Sequence, residues 1–173
     1  YNDIRQDNFV NRTSNGVTGY LLWNHTETAD ESNVASLWNA AYASVNRINL
    51  FIEGLQAANP VASGIITTAE YKQFIGEALA LRGLIYHDMV VTFAKPFNMG
   101  AGANPGLPLR LIAYKDGTGN DMARSTVAEV YTQILKDLDS AEIKLPLTYS
   151  SDLLNTTRIH RNTVIALKSR VYL

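Results

Sequence analysis

Apolar residues that recur every three or four positions restrict the fold of this chain more strongly than any other feature. In residues 33–55 the series is Leu37, Ala41, Val45, Ile48, Ile52 and Leu55. Because an α-helix has 3.6 residues per turn, such a series lies along one face of a helix. Similar series recur in three later segments, and strand-like alternation is weak. The sequence therefore predicts an all-α protein.

Two of the later helices are predicted to begin with a capping box. In this motif a Thr is followed three residues later by a Glu, and the side chain of each accepts a hydrogen bond from the backbone N–H of the other. The pairs are Thr67 with Glu70 and Thr126 with Glu129. The predicted buried face after the first box consists of Tyr71, Phe74, Ile75, Ala78, Leu81, Ile85, Met89 and Phe93. The face after the second consists of Val127, Val130, Ile134, Leu138 and Ala141. A last helix is predicted to begin near Asn162, a good N-cap residue, and to bury Val164, Leu167 and Val171.

These helices group into two predicted pairs separated by irregular sequence. Residues 1–32 are rich in Asn, Thr, Asp and Gly and predict an irregular loop region. Residues 33–94 predict a first helix pair, and residues 125–173 a second pair whose last helix is truncated. Residues 95–124 are a Pro- and Gly-rich connection, in which LPLRLIAY is a candidate extended segment. Stacked helix pairs resemble a tetratricopeptide-type array, which needs a polar terminal cap. Because no following repeat covers the apolar face of the last helix, we expect residues 1–173 alone to self-associate or to be poorly soluble.

Composition narrows the classes of partner. Apolar residues make up 46% and charged residues 18% of the chain, which is typical of a globular protein. The formal net charge of −1 predicts no affinity for nucleic acid or for anionic membranes. The chain has no cysteine, which excludes disulfides, thiolate zinc sites and cysteine nucleophiles within it. No apolar run reaches the roughly 18 residues of a membrane span.

No metal, cofactor or catalytic residue is predicted. His25, His87 and His160 have no metal-ligand spacing, and each is expected to be a surface or capping residue. Asp137 and Asp139 are two positions apart on a predicted helix, where side chains diverge, so they do not form a glycosidase pair. No Ser lies in a G-x-S-x-G turn. The chain is therefore predicted not to be an enzyme.

One helix carries an unusual charged pair, Glu77 and Arg82, in the stretch EALALRGLIYHDMV. Five positions place the two side chains about 140° apart around the helix, so they do not pair with each other. We expect Arg82 to form an ion pair with a neighbouring helix, as part of the packing.

Five segments together resemble the SusD/RagB family. The stretch LWNAAYASVNRINLFIEGL is similar to that family's first conserved helix, and EALALRGLIYHDMV is similar to its second. The stretch GLPLR resembles its Gly-x-Pro-Leu turn, TVAEVYTQILKDLDSAEIKLP its third helix, and ALKSRVYL its fourth. The residues that carry the resemblance include Trp38, Ala41, Tyr42, Asn49, Glu77, Ala78, Arg82, Tyr86, Val130, Tyr131, Ile134, Asp137, Leu138, Ala141, Leu145 and Pro146.

The resemblance implies a SusD-like fold and a bacterial outer-membrane lipoprotein exposed on the cell surface. Members of that family capture an oligosaccharide or polysaccharide and pass it to a TonB-dependent, SusC-like transporter. Residues 1–173 would then be the N-terminal portion of such a domain. The membrane would be reached only through a lipid anchor of the full-length precursor, whose cysteine is absent from this sequence.

The candidate glycan site is the loop GYLLWNHTETAD, residues 19–30. Trp23 stands there in polar sequence, outside any apolar series, beside Asn24, His25 and Asp30. Sugars present apolar C–H faces and many hydroxyls, so their sites combine an exposed aromatic ring with hydrogen-bonding side chains. The alternative is that Trp23 fills the edge of the core. Trp38, by contrast, is expected to be buried.

Two other functions remain open from the sequence. A tetratricopeptide-type scaffold would bind only protein. A helical glycan-processing enzyme would have its catalytic carboxylates outside this sequence.

Overall fold

The computed structural model describes residues 19–116 and 121–173, so most of the predicted irregular region 1–32 lies outside the described residues. The described helices are α1 (Tyr20–Trp23), α2 (Ser32–Ala58), α3 (Thr68–Phe93), α4 (Val127–Lys144), α5 (Asp152–Thr157) and α6 (Arg161–Tyr172). Within these ranges the β-type pairing is an isolated bridge between Pro105 and Thr126. The all-α prediction is confirmed.

The chain divides into two compact units, residues 1–42 and 43–173. The first contains α1 and the beginning of α2. The second contains the rest of α2, together with α3 to α6, and most of the buried residues. No helix in the described part of the chain is long and apolar enough to cross a membrane.

Both predicted capping boxes are present. The Thr67 hydroxyl accepts the Glu70 N–H at 3.2 Å, while the Glu70 carboxylate accepts the Thr67 N–H at 2.8 Å. Thr126 and Glu129 make the same pair of bonds at 3.2 and 2.7 Å. Because these bonds favour the ionised form, they lower the pKa of both carboxyl groups. The two boxes fix where α3 and α4 begin.

The centre of the second unit is the contact of α3 with α4. The predicted apolar face of α4 is confirmed, since Val127, Val130, Ile134, Leu138 and Ala141 are all buried. On α3, a Cβ added to Gly76 would lie 2.9 Å from Leu145 Cγ, and one added to Gly83 would lie 3.1 Å from Leu138 Cδ2. The two glycines therefore form two notches, which receive Leu138 of α4 and Leu145 directly after that helix. The order of the two pairs makes the helices antiparallel.

The predicted buried face of α3 is only partly correct. Ile75, Ala78 and Met89 are buried, but Leu81 is 42% exposed and the other predicted members are only half-buried. The side of α3 that faces α4 instead carries Gly76 and Gly83, and Ala80, which lies between them in sequence, is buried as well. Small side chains let the two backbones approach closely, and a search for large apolar residues overlooks them.

His87 is also buried, so its prediction as a surface or capping residue is wrong. Its ring lies 6.4 Å from the ring of Tyr131 on α4 in an edge-on arrangement. Here the imidazole serves as an aromatic packing group.

The N-terminus of α6 differs slightly from the prediction. His160 occupies the N-cap position without a side-chain capping bond, and Asn162 already lies in the helix. Arg161 donates from Nε to the Glu142 carbonyl at 3.0 Å and from Nη2 to the Leu145 carbonyl at 3.2 Å. Its guanidinium thus satisfies carbonyls at the end of α4, which otherwise lack intrahelical partners.

Candidate functional site

The loop predicted to bind a glycan begins with a single helical turn, α1. Leu22, the third residue of this turn, is buried. Trp23 ends the turn and is half-buried, with its ring 5.8 Å from that of Tyr20 at an angle of 43°. Trp23 is therefore neither a fully exposed platform nor a core residue.

The polar residues that follow are on the surface. The Asn24 N–H donates to the Tyr20 carbonyl at 2.9 Å, and the Thr26 N–H donates to the Leu21 carbonyl at 3.0 Å. His25 takes a left-handed conformation with φ of 54°, which only a few residue types adopt readily. Asn24 and His25 are exposed directly beside Trp23, and Asp30 is exposed in the next turn, before α2.

Trp38 does not have the buried environment predicted for it. It is half-buried on α2, with its ring 4.9 Å from that of Tyr42. The two tryptophans are therefore similar in exposure, and only a separate variant of each distinguishes their roles.

A polar cluster that the sequence only partly predicts lies in the second unit. Arg82 forms two parallel bonds with Asp137 of α4, from Nε at 2.7 Å and from Nη2 at 2.8 Å. Arg82 Nη1 donates to Asn49 Oδ1 of α2 at 2.8 Å. All three side chains are buried. The expected ion pair between Arg82 and a neighbouring helix is confirmed, but the role of Asn49 was not predicted.

This cluster holds a segment without regular secondary structure, residues 110–114, which we call the strap. Asn49 Nδ2 donates to the carbonyls of Arg110 and Ile112, each at 3.0 Å. Tyr86 Oη donates to the Arg110 carbonyl at 2.9 Å and accepts the Arg110 N–H at 2.7 Å. Burial raises the pKa of Tyr86 to about 12, so its hydroxyl stays protonated and keeps donating. LPLRLIAY, the candidate extended segment, is not assigned as a strand and has a bend at Ile112, and side chains of α2 and α3 hold its backbone.

A second charged cluster joins α3 to the segment before α6. Arg158 donates to both oxygens of Glu77, from Nε at 2.9 Å and from Nη2 at 2.8 Å. Tyr149 Oη has two acceptors at 2.7 Å, Glu77 Oε1 and the Ile159 carbonyl. Burial first, and then the Glu77 carboxylate, raise the pKa of Tyr149. Glu77 and Arg82 thus bind different partners, as their spacing predicts.

The second unit also contains an apolar cleft of about 690 Å³ at the end of α3, beside α4 and the end of α6. Its aromatic walls are Phe97, Tyr131 and Tyr172, and Lys95 and Asn98 also line it. Besides Lys95 and Asn98, the two tyrosines carry hydroxyls that can form hydrogen bonds, and the other lining side chains are apolar.

No group of three or more His, Asp or Glu residues suited to holding a metal occurs in residues 19–116 and 121–173. Asp137 and Asp139 diverge as predicted, because Asp137 binds Arg82 and Asp139 binds Lys168 at 2.7 Å. The two carboxylates therefore do not form a pair with each other.

Comparisons with known proteins agree with this fold. Residues 1–173 match a SusD-like family that is described as starch-binding and associating with the outer membrane. A search of curated proteins gave no match. A SusD superfamily protein from Bacteroides fragilis is 29% identical, with a TM-score of 0.87 over 98% of this chain and 38% of its own.

Two further solved structures are similar. A SusD superfamily protein from Bacteroides thetaiotaomicron is 26% identical, with a TM-score of 0.73 over 94% of this chain and 32% of its own. A SusD-like carbohydrate binding protein from Bacteroides vulgatus is 25% identical, with a TM-score of 0.61 over 78% of this chain and 26% of its own. The chain thus spans well under half the length of each of these relatives. With its helices in the same arrangement and the family match extending from end to end, the chain belongs to the SusD-like family.

Proposed function

We propose that this chain is part of a non-catalytic glycan-binding protein of the bacterial outer membrane, and that the loop around Trp23 contacts the sugar. The family match supports the glycan and the membrane, because the family is described as starch-binding and associating with the outer membrane. The Bacteroides vulgatus relative, described as carbohydrate binding, supports the same ligand class.

The observation that carries the site is the combination of residues at the end of α1. Trp23 offers part of an aromatic ring, and Asn24 and His25 add exposed hydrogen-bonding side chains directly beside it. Asp30 adds a carboxylate in the following turn. Ring stacking on sugar C–H groups together with hydrogen bonds to hydroxyls is the chemistry such a loop can supply.

The transporter and the anchor belong to the same proposal. A TonB-dependent, SusC-like transporter is the partner expected to take up the bound glycan, because the family is described as associating with the outer membrane. Attachment to the outer membrane through a lipid on the full-length precursor would keep the two proteins together at the cell surface.

The test is a fluorescence titration with an oligosaccharide panel that includes starch fragments. Trp38→Phe leaves Trp23 as the single tryptophan, and Trp23→Phe leaves Trp38. We expect the ligand-induced change in emission to persist in Trp38→Phe and to vanish in Trp23→Phe. Trp23→Ala should weaken binding about tenfold or more, the factor that corresponds to a lost ring contact of about 1.4 kcal/mol.

Three outcomes separate the alternatives. If Trp23→Ala binds a verified glycan as tightly as the unchanged chain, the site assignment is wrong although glycan binding stands. If no sugar of the panel binds, the proposed function itself fails for this chain. Release of shorter sugars during the titration, followed by chromatography, would indicate an enzyme.

A further inference from the structure

The strap is held to the protein mainly by polar side chains. Two of its own apolar side chains face water to a large extent, since Leu111 is 39% and Ile112 is 63% exposed. It forms no strand with another part of the described chain. The contribution of apolar burial to its attachment is therefore small in comparison with that of the α3–α4 contact.

Three strap N–H groups each have a different side-chain acceptor at 2.7 Å. Arg110 donates to Tyr86 Oη, as described above. Ala113 donates to Glu53 Oε1, and Tyr114 donates to Asn46 Oδ1. The strap is therefore attached along its whole length by residues of α2 and α3.

The attachments are linked through Asn49. This side chain binds two strap carbonyls and also accepts from Arg82, whose Nη1 lies 3.4 Å from a third strap carbonyl, that of Leu111. Asn46 precedes Asn49 on α2 by one turn, and Glu53 follows it by one turn. Asn46, Asn49 and Glu53 thus form one row along α2. We expect that when one strap residue leaves its partner in this row, the neighbouring strap residues leave theirs as well.

We propose that the strap is a lid that opens as a single unit, exposing Asn49 and Arg82 to water while α3 and α4 remain packed. A side-chain hydrogen bond to the backbone stabilises by only a small net amount, because water replaces it when it breaks. Segments with little buried apolar surface open at a lower free energy than the core does. Asn49 and Arg82 offer an amide and a guanidinium to whatever enters when the lid is open.

The experiment measures amide hydrogen exchange of Arg110, Ala113 and Tyr114 by nuclear magnetic resonance in the full chain. Glu53→Ala removes the acceptor of one of them, Ala113. If the strap opens as a unit, exchange at all three amides rises by a similar factor, about tenfold. Exchange at Ile134 and Leu138 in α4 stays unchanged, which shows that the core remains folded.

Two matched variants isolate the cause. Lys115→Ala removes the ion pair of Lys115 with Glu53 at 3.7 Å but leaves the strap bond, so exchange should not change. Glu53→Gln keeps an acceptor oxygen and should restore most of the protection. Asn46→Ala, which removes the partner of Tyr114 at the other end of the row, should reproduce the effect of Glu53→Ala on all three amides.

Two results would overturn the proposal. Faster exchange at Ala113 alone would mean that the attachments break independently. An equal acceleration at Ile134 and Leu138 would mean that the strap opens only when the whole unit unfolds.

Discussion

Two neighbouring regions of the molecule are held together by different interactions. One is the contact between α3 and α4, and the other is the attachment of the strap to α2 and α3. The helix contact is a series of apolar and small side chains, in which Gly76 and Gly83 receive Leu145 and Leu138. The strap attachment is a row of polar side chains, each with a defined partner. Apolar packing tolerates substitutions that keep volume, whereas a buried donor or acceptor that loses its partner has no substitute.

The polar cluster that holds the strap reaches α4 through Asp137, and there three consecutive residues lie in three environments. Asp137 is buried and paired with Arg82, Leu138 is buried against Gly83, and Asp139 is on the surface. Alanine substitutions at these positions compare the two regions within one helical turn.

Asp137→Ala should have the largest effect. It leaves the Arg82 guanidinium buried without its carboxylate, and breaking a buried pair in this way costs about 3–5 kcal/mol of unfolding free energy. Urea denaturation followed by circular dichroism measures the change. A loss below about 1 kcal/mol would show that water reaches Arg82 and that the cluster is not dry.

A double variant, Arg82→Met with Asp137→Leu, sharpens the comparison. Replacing a buried ion pair with apolar residues of similar volume is often close to neutral, so we expect most of the lost stability to return. The strap should nevertheless become less protected in hydrogen exchange, because Arg82 no longer holds Asn49. Recovery of both properties would mean that the pair has no role in holding the strap.

Leu138→Ala should have the next largest effect. Removing this side chain leaves a cavity beside Gly83, for which about 2–5 kcal/mol is expected. Its control is Leu81→Ala on α3, which should cost about 1 kcal/mol or less, because that side chain is 42% exposed. Thermal melts of both variants test the corrected assignment of the buried face, and equal losses would contradict it.

Asp139→Ala should have the smallest effect. Its carboxylate lies 2.7 Å from Lys168 Nζ, but its side chain is 61% exposed and Lys168 keeps Glu142 as a second partner at 2.8 Å. Exposed pairs contribute about 0–1 kcal/mol. A loss as large as that of Leu138→Ala, in the same denaturation experiment, would mean that the surface pair matters more than its exposure indicates.

The sequence predicts the helices of the second unit well because helical spacing and capping boxes are local signals. Thr67 with Glu70 and Thr126 with Glu129 mark the N-termini of α3 and α4, and the buried face of α4 follows from spacing alone. The exposure of Leu81 does not follow from spacing, because glycines determine which side of α3 is covered by α4. Helical spacing gives no weight to a residue without a side chain.

The polar contacts are harder to predict from sequence. The spacing of Glu77 and Arg82 indicates that they bind different partners, but it does not identify Asp137 or Arg158. Asn49 lies beside the apolar series of α2, and nothing in the sequence distinguishes it from other polar residues there. Only the folded structure brings the strap carbonyls to it. For the candidate site, the sequence identifies Trp23 as unusual, whereas the half-buried state of both tryptophans depends on tertiary packing.

The two glycine notches determine how α3 and α4 are aligned along their length. Gly76 and Gly83 are seven residues apart on α3, and so are their partners, Leu138 on α4 and Leu145 directly after it. Sliding one helix by a single turn would set leucines against side chains instead of notches, and it would also separate Arg82 from Asp137. The helix pair therefore has one register. The two glycine–leucine contacts fix that register, and the other contacts between the helices form only when it is kept.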